Sequence, residues 1–133
     1  MIACSGKTGP TSRTAPALII FYSDTAVIAA SDTVSHGTAF SVRIKTFGGG
    51  CTRTAAYVDV VVTGMVAEIR PYNLTRMWRN AMCTSDLIFV FHEAEIRFAS
   101  AGVATIRVIG EQRGGSTGSA NGPAVLVRHL IVR

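Results

Sequence analysis

The stretch Phe40-Ser41-Val42-Arg43-Ile44-Lys45-Thr46 decides how this chain is read. Phe40, Val42, Ile44 and Thr46 alternate with Ser41, Arg43 and Lys45, so an extended backbone puts an apolar face on one side and a polar face on the other. This period-two pattern marks a half-buried β-strand, and no sustained 3.6-residue apolar period competes with it elsewhere in the chain.

Outward from this strand the pattern recurs at short spacing. Residues 57–63 and 65–71 flank Gly64, with Val58, Val60 and Val62 sharing one side of the first segment. Pro71 is expected to end the second or to set it at a sheet edge, because proline lacks the N–H that a ladder needs. Residues 87–91 and 94–98 read as two further strands. Residues 103–111 follow the turn at Ala101-Gly102, and residues 125–132 close the domain. Upstream, residues 17–22 form a continuous apolar run, 25–30 a weaker one, and 31–37 a turn. Residues 110–123 hold five glycines, two serines and an asparagine, the composition of a long hairpin loop.

Several short strands separated by turns predict an all-β domain, a sandwich of roughly seven to nine strands. The length of 133 residues fits one such domain, and 48% hydrophobic against 16% charged residues is the balance of a packed globule. No apolar stretch approaches the roughly 20 residues of a membrane-spanning helix. The net charge of +5 is carried by eleven arginines and two lysines. They are dispersed singly, Arg43, Lys45, Arg53, Arg70, Arg97, Arg107 and Arg128 mostly at alternating strand positions, which describes a solvated sheet face better than a nucleic-acid surface.

Of the three cysteines, Cys51 and Cys83 lie inside the folded region and form a candidate disulfide. Such a bond closes a loop of about 31 intervening residues, for which loop-closure entropy gives on the order of 3 to 4 kcal/mol. It implies an oxidising compartment. The alternatives are two buried free thiols or half of a metal site. Neither cysteine sits in a Cys-x-x-Cys unit or at finger spacing from a histidine, so no metal or other cofactor is expected.

The opening Met1-Ile2-Ala3-Cys4-Ser5-Gly6 resembles the end of a bacterial lipoprotein signal, in which the cysteine becomes lipidated. That resemblance makes Cys4 a lipidation candidate. Residues 1–16 are read as a polar leader, of which residues 5–16 form a coil spanning roughly 20 Å on average. Residues 17–133 are read as the sandwich.

Three stretches carry a fold-level resemblance to the immunoglobulin-like sandwiches of bacterial envelope lipoproteins and surface proteins. They are Asp32-Thr33-Val34-Ser35-His36-Gly37-Thr38-Ala39-Phe40-Ser41-Val42, the run Gly48-Gly49-Gly50-Cys51, and Phe98-Ala99-Ser100-Ala101-Gly102-Val103-Ala104-Thr105-Ile106. The resemblance implies antiparallel sheets, a periplasmic, outer-membrane-anchored or extracellular location, and no catalytic residues. The chain departs from antibody-type domains in having no Trp in the third strand between Cys51 and Cys83.

The remaining motifs are weak. Gly6-Lys7-Thr8 lacks both the earlier glycine and the preceding strand of a phosphate loop. His92-Glu93-Ala94-Glu95 lacks the second histidine of a zinc helix; in a strand His92 turns inward with Ala94 and Ile96 while Glu93, Glu95 and Arg97 turn outward. His36, His92 and His129 assemble into no triad by spacing alone. Asn73-Leu74-Thr75 matches a glycosylation pattern, but Asn73 reads as a turn residue after Pro71.

Residues 74–82 concentrate the single Trp with Met and Arg. At helical spacing Leu74, Met77, Trp78 and Met82 share a side, so a short helix is expected here. Arg76, Met77, Trp78 and Arg79 form a candidate interaction surface, with capping of the open sandwich end as its alternative.

The expected function is a non-enzymatic envelope or secreted binding or structural module, with a protein or glycan partner, contact with a membrane only through a lipid on Cys4, and nucleic acid disfavoured. A small hydrolase or carbohydrate-active enzyme on the same scaffold, and a basic nucleic-acid binder, are the competing readings.

Overall fold

The computed structural model describes residues 11–77, 82–114 and 122–133, and these are all-β with no helix. The upstream strands are β1 (Thr11–Pro16), β2 (Leu18–Phe21), and the two-residue β3 (Asp24–Thr25), β4 (Ile28–Ala29) and β5 (Thr33–Val34). The long strands follow as β6 (Phe40–Gly48), β7 (Thr52–Thr63), β8 (Val66–Met77), β9 (Ile88–Ile96), β10 (Gly102–Arg113) and β11 (Gly122–Val132).

Hydrogen bonds join them into one continuous sheet that curls over its own apolar face. One branch runs β7-β8-β10-β11 and the other β4-β6-β9. Strand β2 links the two, pairing parallel with β10 and antiparallel with β6. Alternation does the rest. Ala67 and Ile69 from β8, Ile106 and Val108 from β10, Val42 and Ile44 from β6, and Ile96 from β9 all turn into one buried cluster. Strands β7 and β9 approach each other across the open side, with no ladder between them among the described residues.

The all-β class is as the alternation predicts, and β6 is the half-buried strand expected, its Ser41 and Arg43 exposed and its Val42 and Ile44 fully buried. Three ladders depart from a wholly antiparallel sheet: β10 with β8, β10 with β2, and β11 with β5 are parallel.

Five local readings are corrected. Pro71 neither ends β8 nor lies at an edge: it is buried, with Val58 of β7 opposite it on one side. On its other side the partner strand changes, from β10 below Ile69 to β1 above Tyr72. Ala17 fills that seam, its N–H donating to the Pro71 carbonyl and its carbonyl accepting from Glu111, both at 2.9 Å. A strand residue points its N–H and C=O to the same side, so the N–H that Pro71 lacks faces the seam, where no regular ladder asks for it.

Residues 11–16, read as part of a leader, are strand β1, in register with β8 from Thr11 opposite Met77 to Pro16 opposite Tyr72. Unpaired β8 backbone supplies the bonds that a polar leader cannot find within itself.

The helix expected from residue 74 is absent over Leu74–Met77, which continue β8 between β1 and β7. Two flanking ladders override a helical spacing of apolar side chains. The two strands expected over 87–98 are one, Ile88–Ile96, because β9 pairs without a break from Phe40 opposite Ile96 to Gly48 opposite Ile88. The β10–β11 ladder reaches Gln112 opposite Gly122, so strand pairing invades the expected loop from both sides.

Candidate ligand cleft and the surfaces beside it

Inside the curl, three polar side chains meet. His92 Nε2 lies 2.6 Å from Asn73 Oδ1, Asn73 Nδ2 lies 3.1 Å from Thr46 Oγ1, and Thr46 Oγ1 lies 2.8 Å from the Val90 carbonyl. A carbonyl only accepts, which fixes the direction of the whole chain. Thr46 donates to Val90, Asn73 donates to Thr46, and the Asn73 oxygen accepts from a protonated His92 Nε2. The three residues come from β9, β8 and β6, so the circuit ties the two branches together through the interior. All three are buried, and burial pushes the His92 imidazole below its ordinary value of 6.5, keeping it neutral at neutral pH.

His92 therefore turns inward with Ala94 and Ile96, as alternation predicts. Asn73 does not lie in a turn. It is a buried strand residue, and a side chain committed to His92 and Thr46 offers nothing to a glycosylating enzyme.

Beyond this circuit the sheet opens at one end. Gly49 and Thr52 exchange backbone hydrogen bonds at 2.7 and 2.9 Å, making a tight turn that carries Cys51. Cys51 is bonded to Cys83, with their Cα atoms 5.1 Å apart. The segment after Cys83 has no regular structure up to Leu87, and Asp86 holds it in place. The Asp86 carboxylate accepts from the Gly50 N–H at 2.9 Å, from Arg53 at 2.7 Å and from Thr84 at 2.9 Å. Those donors, the Gly50 amide foremost, hold its carboxyl far below the usual carboxylate range. Gly49 adopts φ of 142°, and a Cβ there would overlap the Asp86 carbonyl oxygen, so only glycine lets the segment pack this closely.

The segment forms one wall of a cleft of about 580 Å³. Thr52 and Thr75, whose hydroxyls lie 2.6 Å apart, line it together with Asn73. Arg13 and Arg113 line it as well, as do Phe21, Tyr22 and Phe47. Such a volume, with aromatic walls and a few convergent polar groups, matches a small-ligand site. Its residues come from β1, β2, β6, β7, β8, β10 and the segment after Cys83.

The outer face of β6 and β9 continues from this cleft. Arg43 and Lys45 lie over the rings of Phe91 and Phe89, each 4.3 Å from the centroid. On the opposite branch Glu68 receives Arg107 at 2.6 Å and Arg70 at 3.4 Å, and Arg128 reaches Asp32 at 2.8 Å. The dispersed arginines thus lie on sheet faces, several of them engaged by carboxylates.

Of the residues expected at sites, Cys51 and Cys83 are joined. Arg76 and Met77 end β8 and are exposed, with the Arg76 N–H donating to the Cys51 carbonyl at 3.0 Å. Trp78 and Arg79 lie outside the described residues, as does Cys4. The histidines are dispersed: His92 meets Asn73, His129 Nδ1 lies 3.1 Å from Thr105 Oγ1, and His36 Nδ1 lies 2.6 Å from the Arg133 carbonyl.

No protein-family model, curated protein or solved structure matches this chain.

Proposed function

We propose that this chain is a non-enzymatic binding module of the bacterial cell envelope or exterior, taking its ligand in the cleft beside the Cys51–Cys83 bond. The observation that carries the reading is where the disulfide sits. It fastens the segment ending at Leu87, which has no ladder of its own, against the turn at Gly49, and so maintains a wall of the cleft. A site built on a disulfide belongs where thiols stay oxidised. The curled all-β body closing over a single core supports the kinship with immunoglobulin-like envelope domains drawn from the sequence.

Two measurements test the reading. Protein taken from its native host under thiol-trapping conditions is expected in the envelope or culture-fluid fraction with Cys51 and Cys83 linked; trapped free thiols in a cytosolic fraction sink it. A thermal-shift screen of small metabolites and saccharides is expected to yield stabilising compounds whose effect is lost in Arg113→Gln, and a hit unaffected by that change places binding elsewhere.

A further inference from the structure

An unbroken chain of ring contacts leads out of the cleft. Tyr22 meets Phe21 at 4.8 Å, Phe21 meets Phe47 at 5.9 Å, and Phe47 meets Phe89 at 5.8 Å between centroids. Phe91 stands two residues beyond Phe89 on β9 and therefore on the same face. Tyr22, Phe89, Phe91 and Leu87 are 56%, 52%, 46% and 46% exposed, a contiguous apolar ridge where isolated exposed residues would need no explanation.

Few carboxylates answer the charges beside this ridge, where Arg43 and Lys45 lie over Phe91 and Phe89. Arg13, Arg113 and Lys45 meet no carboxylate among the described residues. Arg43 has only Glu93, at 3.7 Å and with both side chains more than half exposed, a pair of little energetic weight. Arg53, by contrast, neutralises Asp86 in the cleft wall. The cleft is lined by Arg13 and Arg113 and by the carboxylates of Asp86 and Glu111, and since Arg53 beside it neutralises Asp86, two lining guanidiniums face the one remaining carboxylate. Lys45 and Arg43 extend the positive side along the ridge.

We infer that cleft and ridge form one elongated site for an acidic polysaccharide, such as a polyuronate. The inference rests on the binding-module reading and names its ligand class. A pyranose ring offers an apolar C–H face, a rim of hydroxyls and, in a uronic acid, one carboxylate. Tyr22 takes a C–H face, and Phe89 and Phe91 take others on the exposed parts of their rings that Lys45 and Arg43 leave uncovered. At the floor only one proton lies between the Thr52 and Thr75 oxygens, so the other hydroxyl keeps its proton for a sugar oxygen. Arg13, Arg113 and Lys45 take the carboxylates, the guanidinium groups two bonds at a time. A single-stranded nucleic acid presents flat bases and phosphates to the same features. The oxidised Cys51–Cys83 pair favours the polymer met outside the cytosol.

The test uses the full oxidised chain and calorimetric titration with three probes of matched length: an oligogalacturonate, a neutral maltooligosaccharide and an oligothymidylate. The oligogalacturonate is expected to bind, more weakly as salt is raised, and the neutral oligomer to bind about tenfold more weakly, a difference of about 1.4 kcal/mol. Phe89→Ala and Arg113→Gln are each expected to lower oligogalacturonate affinity several-fold, while Val103→Thr, an exposed change on β10, leaves it unaltered; unchanged circular dichroism shows that the variants fold.

Equal binding of the neutral oligomer overturns the acidic class and spares the cleft. Tighter binding of the oligothymidylate overturns the polysaccharide. Full affinity in Phe89→Ala overturns the ridge. Binding of none of the three overturns the whole inference, while the thiol-trapping experiment decides the exported-module reading independently.

Discussion

Asn73→Ala is the most informative perturbation of this fold. Asn73 is the middle member of the buried circuit, accepting from His92 at 2.6 Å and donating to Thr46 at 3.1 Å. Its removal strands the His92 Nε2–H without an acceptor, at about 1 to 3 kcal/mol. The vacated space adds roughly 1 kcal/mol. Thr46 still donates to Val90 and adds little. The expected loss is therefore about 2 to 4 kcal/mol, a substantial fraction of an ordinary stability of about 5 to 15 kcal/mol.

Urea denaturation of the oxidised chain at neutral pH measures it, with Ser41→Ala on the exposed face of β6 as a control expected within about 0.5 kcal/mol of the parent. Thr46→Val supplies the partner experiment, since it orphans the Asn73 amide while keeping the volume and leaving the Val90 carbonyl in the β6–β9 ladder. The double variant is expected to cost less than the sum of the two, with a coupling of at least about 0.5 kcal/mol, because once Asn73 is gone Thr46→Val leaves no amide to strand. An Asn73→Ala loss no larger than that of the control would falsify the circuit as a structural tie.

Two further outcomes follow from the same geometry. His92 titrates near 6.5 in the unfolded chain and lower in the fold. The unfolded form thus takes the proton first, so the contribution of His92 is whole above about pH 6.5 and declines as pH falls below it. Urea midpoints measured downward from pH 8 are expected to show that decline, and His92→Gln to flatten it; a parent profile as flat as that of the variant refutes the assignment. Reduction of Cys51–Cys83, separated by 32 residues, is expected to cost about 3 to 4 kcal/mol through the entropy returned to the unfolded chain. Denaturation with and without reductant measures this, and coincident midpoints contradict it.

The parts of the fold legible in the sequence are those that depend on alternation alone. The two faces of β6 and the inward turn of His92 follow from a period of two, which needs no knowledge of neighbours. Asn73 was misplaced because Pro71 and Asn73 are both strong local turn formers, and only the exchange of β10 for β1 beside β8 makes a proline tolerable there. Leu74 and Met77 carry helical spacing, yet a segment flanked by two strands has its backbone bonds already claimed. Thr11–Pro16 has no apolar stripe to announce a strand, since it is held by main-chain pairing at the sheet margin. The cleft was invisible for a different reason: Arg13, Thr75 and Arg113 stand far apart in the chain and share no motif. The nearest clue was the Gly48-Gly49-Gly50-Cys51 run, whose close approach to Asp86 shapes the wall.

The strap made by β1 and β2 imposes an order of assembly. Its first half needs β8 and its second half needs the far end of β10, so the earliest-synthesised strand has its last docking partner in one of the latest. Closing so long a loop is entropically expensive and slow. In pulse-labelling hydrogen exchange during refolding, the amides of Ile19 and Ile20 are expected to gain protection after those of β10 and β11; simultaneous protection contradicts this order. Until β10 is in place, the seam beside Pro71 stays open, because Ala17 can bridge it only when Glu111 is there to donate to its carbonyl.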